Sequence, residues 1–140
     1  MYTVETNFEG YMKDIGATIL FSPDPGRTIK EVRKSMEISQ DDLAQLMSLR
    51  RETISRIETG SIAPTAAFIK RFSKYASIIK VFRDLNARKD ADKNGDSTFL
   101  NPTFMRTHFS LSKIELNSLI AIGHTSYSKT KKKVLRRIGI

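Results

Sequence analysis

Between Ser39 and Gly60 the sequence SQDDLAQLMSLRRETISRIETG holds two short, one-sided apolar stretches with almost nothing between them. Ser39, with Asp42 three residues on, forms a capping box that starts the first. Leu43, Ala44 and Met47 then fall on one helical face. Only Ser48 and Leu49 intervene before the second, RRETISRIET, whose inward residues are Ile54 and Ile57 and whose stop is Gly60. Helices this short are marginal alone in water, so the pair must pack across the turn. Leu43, Ala44, Met47, Leu49, Ile54 and Ile57 form the packing set. Ala44 is small enough for close approach, and Ile54 fills the gap from the second helix.

The rest of the chain extends this all-α pattern. Phe8, Tyr11, Met12 and Ile15 have the i, i+3, i+4, i+7 spacing of an amphipathic helix. ATILF (17–21) is either a short strand or a helix end, and SPDPG (22–26) predicts a turn. Thr28 with Glu31 predicts a capped helix carrying Ile29, Val32, Arg33 and Met36. After SIAP, Thr65 caps a helical stretch to about Arg88, with a break at Ser77 left open. Phe68, Phe72, Tyr75, Ile79 and Phe82 along it have a seam-like 4, 3, 4, 3 spacing. Two heptads are too few for a coiled coil, so core packing within the chain is favoured over a dimerising helix. RKDADKNGDS (88–97) is a polar linker. Asp90, Asp92, Asn94, Gly95 and Asp96 imitate the start of a calcium loop, but Asn101 stands where the bidentate Glu belongs. A smaller helical unit follows, with Ser112 and Glu115 as a third capping box and Gly123 as its stop. Its apolar residues are Phe99, Leu100, Phe104, Met105, Phe109, Ile114, Leu119 and Ile120.

The organisation expected is therefore an N-terminal extension (1–26), a helical domain with its long following helix (27–88), a linker (89–98) and a C-terminal helical unit with a basic tail (99–140). Charge separates these parts. The net of +9 divides as −3 over residues 1–26, +6 over 27–88, zero over 89–122 and +6 over 123–140. Two segments thus carry the excess, which favours a polyanionic partner. The absence of cysteine excludes disulfides and thiolate chemistry and is compatible with the cytoplasm. No apolar run nears the ~20 residues of a membrane span. His108 and His124 have no second ligand at helical spacing, so no metal is assigned. No nucleophile, phosphate-loop or paired-carboxylate motif points to an enzyme or a cofactor.

The outer face of 50–58 carries Arg50, Arg51, Glu52, Thr53, Ser55 and Arg56. Arg bonds guanine bidentately, Glu accepts from cytosine, and Ser or Thr bonds base edges or phosphate. One helix with its side chains fits a major groove about 12 Å wide. Gln40, at the start of the preceding helix, is placed to help hold a phosphate.

These residues carry a resemblance. SQDDLAQLMSLRRETISRIETGSIAP resembles the helix-turn-helix of the Xre family, which includes Cro and the lambda repressor, through Ser39-Gln40, Leu43-Ala44, Leu49, Arg51, Thr53 to Glu58, Gly60 and Pro64. The full domain would cover about 27–82. The lead-in ATILFSPDPGRTIKEVRKSMEIS is similar to that of archaeal Xre-type regulators. The resemblance implies that 50–58 is the recognition helix, that Gln40, Arg51, Glu52 and Thr53 lie on DNA-contacting positions, and that Arg56 is next in rank. Two positions depart from the pattern. Ser48 replaces the usual turn glycine and must go left-handed or turn differently. Arg50 replaces the usual Ser or Thr cap and cannot accept the capping bond, which frees it for phosphate.

The function expected is sequence-specific binding of double-stranded DNA by a homodimeric transcription regulator. In the tail, Lys129, Lys131, Lys132, Lys133, Arg136 and Arg137 either form an inert solvated end or add phosphate contacts; a membrane surface is less favoured than phosphate. The alternative is an adaptor or antitoxin-like role on the same fold, with residues 99–140 holding a protein partner.

Overall fold

The computed structural model describes residues 4–89 and 102–122. The calcium-like stretch, Gly123 and the basic tail lie outside them. The described residues form α1 (Val4–Leu20), α2 (Pro25–Ser35), α3 (Gln40–Met47), α4 (Arg51–Thr59), α5 (Ala66–Lys89) and α6 (Pro102–His108), with a further helix, α7, over 113–122. Among the described residues there is no strand, so ATILF is the end of α1. It leaves Phe21 88% exposed just past the helix.

The second helix starts earlier than Thr28. Asp24 is the N-cap, its side chain accepting from the Arg27 N–H at 3.2 Å, and Pro25 opens the helix. Proline is at ease there because its φ suits the first turn and its missing N–H would have had no partner. Thr28 lies inside, its hydroxyl 2.7 Å from Ser22 Oγ. Other signals act as expected. The Thr65 hydroxyl accepts from the Phe68 N–H at 3.0 Å, and α5 runs without a break through Ser77. Ser112 and Glu115 exchange both capping-box bonds, at 3.1 and 3.3 Å.

The long α5 is the axis of the core. Phe68, Phe72, Tyr75, Ile79 and Phe82 are all buried, so the seam packs within the chain. The α1 helix covers one side of α5, and its Tyr11 hydroxyl donates to Asp84 at 3.1 Å across 73 residues. Phe8 meets Phe109 with ring centroids 4.3 Å apart, and Met105, Phe109, Leu111, Leu116, Leu119 and Ile122 join the same cluster. The C-terminal unit is thus packed onto the N-terminal helices. Ile114 is not part of this; it is 79% exposed.

Candidate nucleic-acid interface

The α3–turn–α4 segment is built in layers. At its start, Ser39 Oγ accepts from the Asp42 N–H at 3.0 Å and Asp42 returns the bond to the Ser39 N–H at 3.2 Å. At its turn, Ser48 adopts φ 54° and ψ 43°, the left-handed option, and the Leu49 N–H reaches back to the Ala44 carbonyl at 2.9 Å. That pattern satisfies the last α3 carbonyls without glycine. Arg71, from α5, adds a bond from Nη1 to the Met47 carbonyl at 3.4 Å. Leu49 falls outside the core: it is 40% exposed, because the left-handed residue before it turns the chain outward.

The recognition-helix candidate α4 begins on Arg50 with extended backbone and no side-chain cap, and ends on Gly60 at φ 88°. Its inner face is Ile54, Ile57 and Glu58, all buried. Arg51, Glu52 and Arg56 are exposed, and Thr53 and Ser55 are half-buried.

Glu58, one of the positions that carry the family resemblance, is an anchor, a role the sequence alone does not assign. Arg33 of α2 grips it with two bonds, Nε to Oε2 at 2.7 Å and Nη2 to Oε1 at 3.0 Å. The third arm of that guanidinium, Nη1, donates to the Ile38 carbonyl at 2.9 Å. A buried charge is tolerable only when paired and fully bonded, and here every arm of the fork is used. A signal was available: Arg33 sits on the same register as Ile29 and Met36, an apolar stripe on which a cation needs a reason.

The network continues to the surface. Gln40 Nε2 donates to Glu58 Oε1 at 2.9 Å, and Arg51 Nε approaches Gln40 Oε1 at 3.5 Å. Arg51 also lies 3.9 Å from Asp41 Oδ1 in an exposed pair. Gln40 and Arg51 are therefore brought together at the junction of α3 and α4, backed by a buried ion pair. Farther back, the close approach of α2 to the end of α4 requires a glycine. A Cβ on Gly26 would stand 2.0 Å from the Ile57 carbonyl oxygen.

With this geometry in view, residues 29–76 match the family model described as Helix-turn-helix. The segment is a helix-turn-helix of the Xre and lambda-repressor type. It covers about a third of the chain. No curated protein and no solved structure matches the chain. The helix-turn-helix thus consists of α3 and α4, with most of α2 and the first part of α5, up to residue 76, as its supporting helices.

Of the side chains singled out from sequence, Gln40, Arg50, Arg51, Glu52, Thr53, Ser55 and Arg56 all lie on α3, α4 or the turn between them. Lys129, Lys131, Lys132, Lys133, Arg136 and Arg137 lie outside the described residues. Along α5, the Tyr75 hydroxyl donates to Glu115 Oε2 at 2.5 Å and accepts from Arg71 Nη2 at 3.2 Å. Burial and the bond to Glu115 hold the Tyr75 hydroxyl above its ordinary pKa. Burial pushes the Glu115 carboxyl up, but its bonds from Tyr75 and Ser112 outweigh that and leave it below its ordinary value. A hydrogen-bonded chain thus runs from α7 through α5 to the last carbonyl of α3. Among the described residues no helix is long and apolar enough to cross a membrane.

Proposed function

We propose that this protein is a sequence-specific, dimeric DNA-binding transcription regulator that lays α4 in the major groove. The observation that carries this reading is the division of α4. Ile54, Ile57 and Glu58 are locked inward, while Glu52 and Arg56 stand exposed on the opposite side and Arg51 is exposed at the first turn. In this reading Arg51 reads guanine, Glu52 reads cytosine, Thr53, Ser55 and Arg56 contact flanking bases or phosphate, and Arg50 takes a phosphate. Gln40, held by Glu58 through its amide nitrogen, sets the height of Arg51 and offers its remaining N–H toward the backbone. The seam of α5 is already covered within the chain, so the dimer contact falls on another surface.

Selection of binding sites from a random duplex library at physiological salt tests the proposal. The expected result is an inverted repeat with half-site centres about 34 Å apart, or a multiple of it. Retained DNA with no enriched sequence would overturn sequence-specific reading and redirect attention to a protein partner of residues 99–140.

A further inference from the structure

A cleft lies away from α4, between α1, α2 and α5. It has a volume of about 400 Å³ and is lined by Ile15, Val32, Ser35, Met36, Ala76, Lys80, Arg83 and Asp84. Ligand sites range over about 300–1,000 Å³, so this one suits a small molecule. Its floor is apolar, from Ile15, Val32, Met36 and Ala76. Most of its polar groups are engaged. Ser35 donates to the Val32 carbonyl at 2.6 Å, Asp84 accepts from Tyr11, and the Lys80 ammonium sits 4.5 Å from the centre of the Tyr11 ring.

Arg83 is different. Its Nε and Nη2 are closed off from solvent and have no hydrogen-bond partner. Such groups are exceptional, because buried donors in native proteins are nearly always satisfied. The two atoms are also the same edge of the guanidinium with which Arg33 grips the Glu58 carboxylate in this very protein. Burial holds the Arg83 pKa below its ordinary value, and the charge of Glu37 offsets this only in part.

We propose that this cleft binds a small organic monocarboxylate, its two oxygens on the Nε–Nη2 edge of Arg83 and its apolar body against Ile15, Val32, Met36 and Ala76. The planar fork matches a carboxylate in two parallel bonds. Because Nε and Nη2 are closed off from solvent in the structure, binding requires the Arg83 side chain to turn that edge toward the cleft. Asp84 on the wall repels a second negative charge, which selects a monoanion over a phosphate dianion.

Benzoate is the probe, with uncharged benzamide and inorganic phosphate as its controls, each titrated into the full chain while backbone amide NMR shifts are followed. Benzoate should move amides of α2 and α5 saturably, and neither control should. Arg83→Met should weaken benzoate binding about ten-fold or more, and Arg83→Lys, which keeps the charge but loses the fork, should weaken it too. Because Arg83→Met removes an unpartnered buried cation, the variant should melt no lower than the parent. No saturable shift, an equal shift from benzamide or phosphate, or undiminished binding by both folded variants would each overturn the proposal.

Discussion

The two helices of the helix-turn-helix begin in opposite ways. The α3 helix is closed by the reciprocal Ser39–Asp42 capping box, whereas α4 opens on Arg50 with no side-chain cap at all. An uncapped start forgoes about 1 kcal/mol, and yet α4 is the helix whose placement matters most for the proposed function. The difference teaches that α4 is held by its tertiary contacts, not by its own ends. Glu58 is gripped by Arg33, Ile54 and Ile57 are buried, and the Ile57 carbonyl sits against Gly26. The intrahelical bonds begin with the Thr53 N–H on the Arg50 carbonyl, and for the N–H groups of Arg51 and Glu52 before it a DNA phosphate is the acceptor that the proposed docking would bring.

Removing the tertiary anchor should break this contrast most severely. Glu58→Ala leaves the Arg33 guanidinium buried without its counter-charge and should cost about 3–5 kcal/mol in urea unfolding. Replacing both partners, as Arg33→Met with Glu58→Leu, should restore most of that loss. An Arg33→Met/Glu58→Leu double no more stable than Glu58→Ala would show that the pair is not what locks α4.

On the exposed side, Arg51→Ala should cost about 1–3 kcal/mol on the selected site and relax its base preference. It should hardly change the unfolding midpoint, since its ion pair with Asp41 is exposed. Equal losses on specific and random duplexes would remove Arg51 from base reading.

The helix ends themselves give a smaller and opposite pair of effects. Ser39→Ala should destabilise by about 1 kcal/mol, while Arg50→Ser should stabilise by about 0.5–1 kcal/mol by supplying the missing cap. If Arg50 serves a phosphate, Arg50→Ser should at the same time weaken binding to all duplexes and reduce its salt dependence.

Smallest is the pH effect at Tyr75 of α5. The Tyr75 pKa is raised in the folded chain, so its contribution is complete below the unfolded value of about 10. It is then lost as pH climbs through the higher folded value, because the unfolded chain gives up its proton first. Alkaline unfolding curves of Tyr75→Phe should show a shallower decline above pH 10 than the parent, and parallel curves would discount the raised Tyr75 pKa.

What the sequence disclosed follows the range of the interaction. The bounds of α3 and α4, the Gly60 stop and the Ser39, Thr65 and Ser112 caps are set by groups within a few residues of each other, and all were legible. Pro-Asp-Pro-Gly predicts a turn and so a start of α2 at Thr28; the same residues also satisfy a helix start at Asp24 and Pro25, and the Asp24 cap and the packing of Gly26 against Ile57 go with the earlier start. Leu49 and Ile114 have core-like identities but solvent-facing positions, fixed by the left-handed turn and by the direction of α7. The Arg33–Glu58 pair spans 25 residues, and no local rule links its members. The residues proposed for DNA contact were found from their types on one short helix. The network behind Gln40 and Arg51 was not, since it exists only once α2, α3 and α4 meet.

The reach of Tyr11 to Asp84 across the sequence has a kinetic side. The contacts among α2, α3 and α4 close short loops, whereas clasping α1 onto α5 closes one of about 70 residues, and loop entropy rises with that length. Local pairings are therefore expected to assemble first, and α1 to dock as a late step. Substitutions at Tyr11 or Phe8 should then hasten unfolding while leaving the refolding rate nearly unchanged. The helix-turn-helix would be formed before the clasp that surrounds its long supporting helix has shut.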